Sequence, residues 1–145
     1  MRYLGIDYGE KRIGLAISDP LGIIAGKLKT LENISWNNAI AELQKIINDN
    51  LIDGIVIGLP KNLKGEETQQ TLKVRGFIAF FKERIKIPVH EWNEMFTSKE
   101  SNNILIDADV SRKNRKKFVD QLSAVLILQG YLDSLKSNFC HDDEN

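Results

Sequence analysis

After Asn33 the spacing of apolar residues changes, and that change limits the possible folds of this 145-residue chain more than any other feature. Before it, short stretches alternate with period two. Tyr3-Leu4-Gly5-Ile6-Asp7-Tyr8 is followed by a turn-like Gly9-Glu10-Lys11-Arg12, and Ile13, Leu15 and Ile17 then share one strand face. Asp19-Pro20-Leu21-Gly22 makes a second turn before a third strand over Ile23 to Leu31, so the opening predicts an antiparallel meander.

Beyond Asn33 the period lengthens. Trp36, Ala39, Ile40, Leu43, Ile46 and Ile47 recur at three and four, which predicts a helix from about 36 to 50 with Ser35 as its N-cap. Ile52 to Pro60 is a short apolar run bounded by Gly and Pro, the pattern of a buried strand. A polar loop, Lys61 to Glu67, leads to a second helix ending near Lys86, with Leu72, Val74, Phe77, Ile78 and Phe81 as its apolar stripe. Ile87 to Trp92 predicts a fifth strand. Thr97-Ser98-Lys99-Glu100 fits a capping box for a short helix to about Ile106, and the last helix spans about Arg115 to Leu135. Antiparallel strands followed by strand–helix alternation predict an α/β fold: a mixed five-stranded sheet flanked by helices. The length suits one domain, over 1–138, with a flexible acidic tail at 139–145.

A single cysteine, Cys140, excludes an internal disulfide and a cysteine-built metal site. No apolar run approaches the roughly 18 residues of a membrane span, and Asp7 interrupts the N-terminus too early for a signal peptide, so a cytoplasmic protein without a membrane partner is expected. Twenty Lys and Arg balance twenty Asp and Glu. The balance is a cancellation between segments. Residues 1–60 hold six basic and seven acidic side chains, 61–117 hold thirteen and eight, and 118–145 hold one and five. The basic middle keeps nucleic acid open as a partner.

Three acids stand where apolar or bland residues would be expected. Strand period puts Asp7 on one face with Tyr3 and Gly5, and the neighbouring strand offers Gly14, Ala16 and Ser18 as a face of small residues. If these faces coincide, Asp7 stands on a sheet surface cleared for a helix or ligand; the alternative is a strand-end aspartate capping the turn at Gly9. Asp120 lies several residues inside the last helix, which is apolar nearly all round from Phe118 to Leu132, on a stripe with Ser123, Ala124 and Ile127, and a buried carboxylate must be protonated, paired or metal-bound. Its alternative is a solvated acid favoured by the helix dipole. Glu94 follows the fifth strand in what reads as a loop, where an exposed glutamate is ordinary. Together the three suit a hard cation, Mg²⁺ or Mn²⁺, of the kind that activates water against a phosphodiester. Lys61 and Lys64 in the first polar loop, and Arg112, Lys113, Arg115, Lys116 and Lys117 just before Asp120 in sequence, are candidate phosphate contacts or a solvated surface.

The block Gly5 to Asp19, the run Val56-Ile57-Gly58-Leu59-Pro60 with Gly65, and Phe118-Val119-Asp120 through Ala124 to Gln129 resemble the YqgF family, over nearly the whole chain. That resemblance implies a ribonuclease-H-like fold, catalysis and metal binding at Asp7, Glu94 and Asp120, and a nuclease acting on pre-16S rRNA at the ribosome or on branched DNA. The family pattern Asp-Glu-Arg is replaced here by Asn93-Glu94-Met95, with Thr97 and Ser98 retained. The lost acid and guanidinium predict weaker metal binding or a missing phosphate contact. Two other classes stand beside the nuclease: a non-catalytic nucleic-acid-binding or ribosome-assembly protein, and an actin-like ATPase. The second needs two such domains, and no Walker sequence is present.

Overall fold

The computed structural model describes the backbone of residues 1–94 and 112–143, and the side chains of 1–94 and 121–136. The elements run β1 (Tyr3–Asp7), β2 (Arg12–Ser18), β3 (Ala25–Glu32), α1 (Trp36–Asn50), β4 (Gly54–Pro60), α2 (Gln69–Arg84), β5 (Val89–Glu94) and α3 (Arg112–Asp143). The five strands form one sheet in the order β3-β2-β1-β4-β5. β1, β2 and β3 pair antiparallel, whereas β4 and β5 join parallel to β1. The mixed sheet expected from the period change is therefore present. The short helix expected from Thr97 falls outside the described residues.

The two faces of the sheet are packed differently. Leu4, Ile6, Ile13, Leu15, Ile55 and Ile57 point to one side and meet the stripes of α1 and α2, giving the larger core. Trp36, the first residue of the α1 stripe, belongs here: its Nε1 donates to Tyr8 Oη at 2.8 Å and its ring packs on Phe77 and Phe80. On the other side Tyr3, Ala16 and Val56 meet Ala124, Ile127, Leu128 and Leu132 of α3. The small residues of β1 and β2 do share this face, since Gly5 pairs with Ala16 and Asp7 with Gly14. Helix α3 rides close: a Cβ on Gly5 would lie 2.8 Å from Leu128 Cβ and 3.0 Å from the Ala124 carbonyl.

Local rules account for the helix ends. Ser35 Oγ accepts from the Asn38 N–H at 3.1 Å, as expected of the N-cap, and α1 closes on Leu51 in the left-handed region. α2 opens with a reciprocal cap between Thr68 and Thr71. The fully buried Thr71 hydroxyl also donates to the Pro60 carbonyl, tying α2 to the end of β4.

Four expectations change. The α2 stripe starts at Thr71 rather than Leu72, which is 63% exposed, because Thr71, Val74, Phe77, Ile78 and Phe81 keep the three-and-four spacing and Leu72 falls about 100° off it. Glu94 is the last residue of β5, paired with Pro60, and not a loop residue. α3 begins at Arg112 rather than about Arg115, so the whole basic run, Arg112 and Lys113 included, lies within its first turns. Residues 139–143, expected as the start of a tail, continue the helix.

Candidate active site

Asp7 ends β1 and Glu94 ends β5, two strands apart at the carboxyl edge of the sheet. The strand between them carries Gly58, which the register from Ile6 and Ile57 places beside Asp7 and which pairs directly with Trp92. Neighbouring strands lie about 4.8 Å apart. Although the Glu94 backbone pairs with Pro60, its side chain leans back: Oε2 lies 3.1 Å from where a Gly58 Cβ would sit. The same vacant position is 2.4 Å from Ile127 Cδ1 of α3. Glycine at 58 thus makes room for both the carboxylate and the helix.

Helix α3 approaches this edge with its N-terminal half. Gln121 Nε2 donates to Thr30 Oγ1 at 3.1 Å, and Thr30 belongs to the cross-sheet row Asp7–Gly14–Thr30. Further along, Gln129 accepts from the Ala25 N–H at 2.9 Å, and the Tyr131 ring meets Tyr3 at 5.6 Å. Eight helical residues span about 12 Å, and the four steps from Asp7 back to Tyr3 span about 13 Å. The helix therefore crosses the sheet from the Asp7 row to the Tyr3 row. Position 120 adjoins Gln121 and precedes Ala124 by one turn, so its backbone is at the acidic edge; the Asp120 side chain lies outside the described residues.

Strand alternation revises the Asn93 expectation. His90 and Trp92 face α3, where His90 stacks on Tyr131 at 5.0 Å and Trp92 packs on Gly130, and Glu94 faces the same way. Asn93 therefore points to the opposite face, with Glu91, and is removed from the Glu94 carboxylate. Met95 lies outside the described residues.

The loop after β4 springs from the same edge. The Lys61 N–H donates to the Glu94 carbonyl at 2.9 Å. Asn62 Oδ1 accepts from the N–H groups of Lys64 and Glu66 at 3.0 and 2.9 Å, and Gly65, at φ +77°, completes a tight turn that presents Lys64 to solvent. Arg75, which nothing in the sequence spacing singles out, holds this loop. Its Nε donates to Glu67 Oε1 at 2.7 Å, a second nitrogen donates to Oε2 at 3.0 Å, and Glu91 lies at 3.7 Å. The guanidinium holds the Glu67 carboxyl below the usual carboxylate range. Lys73 pairs with Glu10, tying α2 to the β1–β2 turn. Side chains of Arg112, Lys113, Arg115, Lys116 and Lys117 lie outside the described residues; their backbone forms the first turns of α3.

For a hard cation, the donor chemistry is suitable and the described set incomplete. Asp7 and Glu94 offer carboxylate oxygens at the ends of β1 and β5, on the face that packs α3. Among the described residues, no three His, Cys, Asp or Glu side chains are grouped to hold a metal ion.

A mixed sheet in the order β3-β2-β1-β4-β5, with α1 and α2 on one face and α3 on the other, is a ribonuclease-H-like fold. The fold matches that of Thermus thermophilus RuvC (TM-score 0.54, 11% identity, 94% of this chain and 97% of that one). It also matches the fowlpox virus resolvase solved with Holliday junction DNA (TM-score 0.57, 18% identity, 93% and 99%). The chain belongs to the family described as "RuvX: Holliday junction resolvase", whose model matches residues 1–134. It is 44% identical over 135 residues to a Clostridium acetobutylicum protein named "Putative pre-16S rRNA nuclease", covering 93% of this chain and all of that one. A Koribacter versatilis protein of the same name is 46% identical over 132 residues, covering 91% and 86%. The resemblance drawn from the opening block and the Asp120 segment is thereby confirmed. Among the described residues, no helix is long and apolar enough to cross a membrane.

Proposed function

We propose that this chain is a metal-dependent endonuclease that hydrolyses phosphodiester bonds in structured RNA, acting in the cytoplasm on the 5′ end of pre-16S rRNA during ribosome assembly. The observation that carries this reading is the Glu94 carboxylate lying over Gly58, one strand from Asp7, on the face where the strands carry Gly5, Gly14 and Gly58. Asp7, Glu94 and Asp120 would hold Mg²⁺ or Mn²⁺. Such an ion supplies Lewis acidity, lowering the pKa of water and offsetting charge on the phosphoryl oxygens. The chain's own groups do the rest. Asp7 and Glu94 anchor from two strands, which fixes their separation. Lys61 and Lys64, on the loop after β4 whose first N–H bonds the Glu94 carbonyl, and the basic first turns of α3 contact phosphates of the substrate.

The family's description as a Holliday junction resolvase favours a second reading with the same chemistry, cleavage of a branched DNA junction. Both are tested together by offering purified protein precursor 16S rRNA, a four-way DNA junction and single-stranded RNA with Mn²⁺, Mg²⁺ or EDTA. We expect metal-dependent cleavage of precursor rRNA that Asp7→Asn abolishes. Preferential cleavage of the junction supports the second reading. Equal cleavage by wild type and Asp7→Asn overturns both, and binding without cleavage by either protein leaves an assembly factor.

A further inference from the structure

Ser123 is 1% exposed, and its Oγ has no hydrogen-bond partner among the described residues. Helical serines ordinarily direct the hydroxyl to the carbonyl one turn earlier, and a buried hydroxyl left unpaired is destabilising. Close packing of α3 on the sheet does not call for this oxygen. Ala124, next along the helix, is equally buried and fills the small-residue requirement without one.

The position of the hydroxyl supplies a reason. Ser123 lies one turn before Ile127, whose Cδ1 occupies the space over Gly58 beside Glu94 Oε2. Helical Cβ atoms tilt toward the helix N-terminus, and the N-terminal half of α3 is the half that reaches the Asp7 row through Gln121 and Thr30. The unpaired hydroxyl is therefore carried to the acidic edge, under cover of the helix.

We propose that Ser123 is a positioning residue of the acidic site, its hydroxyl bonding a water held between α3 and the Asp7 and Glu94 carboxylates when a divalent cation is bound. The inference rests on the cation-site reading of those acids. Outer groups that orient ligands or waters around an ion commonly change its affinity tenfold or more.

The test uses Mn²⁺ alone as probe. Mn²⁺ affinity is measured by electron paramagnetic resonance, and melting temperature with and without Mn²⁺, for wild type, Ser123→Ala, Ser123→Thr and Asp7→Asn. We expect Ser123→Ala to melt at or above the wild-type temperature without metal, because an unpaired oxygen is gone. It should bind Mn²⁺ about tenfold more weakly and gain a smaller metal-induced rise in Tm. Ser123→Thr, which retains the hydroxyl, should keep more of the affinity. Wild-type affinity and an undiminished rise in Ser123→Ala overturn the proposal, as does a lower metal-free Tm with unchanged affinity, which marks a packing residue. If wild type takes up no Mn²⁺, or Asp7→Asn takes it up equally, the cation-site reading itself fails.

Discussion

Glu94 and Gly58 stand on adjacent strands but in different register rows, and the Glu94 carboxylate crosses that offset to lie 3.1 Å from the Cβ position that glycine leaves empty. Gly58→Ala would set a methyl 2.4 Å from Ile127 Cδ1 as well. Overpacking of this kind costs about 1–3 kcal/mol. The isoleucine end can rotate away, so we expect a folded variant with lower stability and a displaced carboxylate. Urea denaturation with Mn²⁺ titration checks this, Mn²⁺ affinity falling together with stability.

Gly5 separates fold from site. Its added Cβ would meet the Ala124 carbonyl and Leu128 Cβ at 3.0 and 2.8 Å, atoms that cannot move without α3. Gly5→Ala should lower stability by at least as much as Gly58→Ala, about 1–3 kcal/mol. It should also weaken the Tyr131 contact with Tyr3, read from near-ultraviolet circular dichroism.

Leu51 closes α1 at φ +53° with its side chain 80% exposed. A left-handed non-glycine residue costs about 1–2 kcal/mol, and little packing is lost on truncation here. Leu51→Gly should therefore be stabilising by about 1 kcal/mol, after some offset from a more flexible unfolded chain. Thermal denaturation should show a rise of about 2–4 °C.

Arg75 joins the 61–67 loop to β5 through exposed pairs with Glu67 and Glu91. Exposed pairs contribute about 0–1 kcal/mol, so Arg75→Ala should melt near wild type. Its effect should appear in function: with the loop untied, RNA affinity falls and depends less on Lys61 and Lys64. Affinity against salt for wild type, Arg75→Ala and Lys61→Ala/Lys64→Ala measures this, the double variant flattening the slope by about one to two in wild type and by less in Arg75→Ala.

Acid stability has two named contributors. Asp19 Oδ1 accepts from the N–H groups of Ile24 and Ile23 at 2.9 and 2.7 Å, bonds that hold its carboxyl below the ordinary range, and Arg75 does the same for Glu67. A depressed folded pKa means that the contribution is complete above the ordinary carboxylate range and lost as pH falls through the folded pKa. Tm should therefore drop below about pH 4, and Asp19→Asn should make that drop shallower.

Some errors of sequence reading share one cause, the range over which a pattern can be seen. Leu72 is apolar and next to a stripe, yet only the helix's angular phase puts Thr71 inside and Leu72 outside. Glu94 looks like a loop residue because the apolar run stops at Trp92, whereas pairing with Leu59 and Pro60 extends the strand past it. Asn93 adjoins Glu94 in the linear motif, whereas strand alternation turns it to the other face. Arg75 carries no motif because its partners, Glu67 and Glu91, are joined to it only by the fold.

By itself the sequence determined the element types, the change from meander to strand–helix alternation, the small-residue face of β1 and β2, the Ser35 cap and the family. These depend on periodicity and local chemistry, which lie within a few residues of one another. Tertiary structure alone decided that Gly58 clears the space for Glu94, that the half of α3 carrying the buried Ser123 hydroxyl is the half that reaches the row of Asp7 through Gln121 and Thr30, and that Arg75 ties the basic loop. Those relationships join residues from 8 to 116 positions apart, and strand register, helix phase and close packing are what bring them into contact.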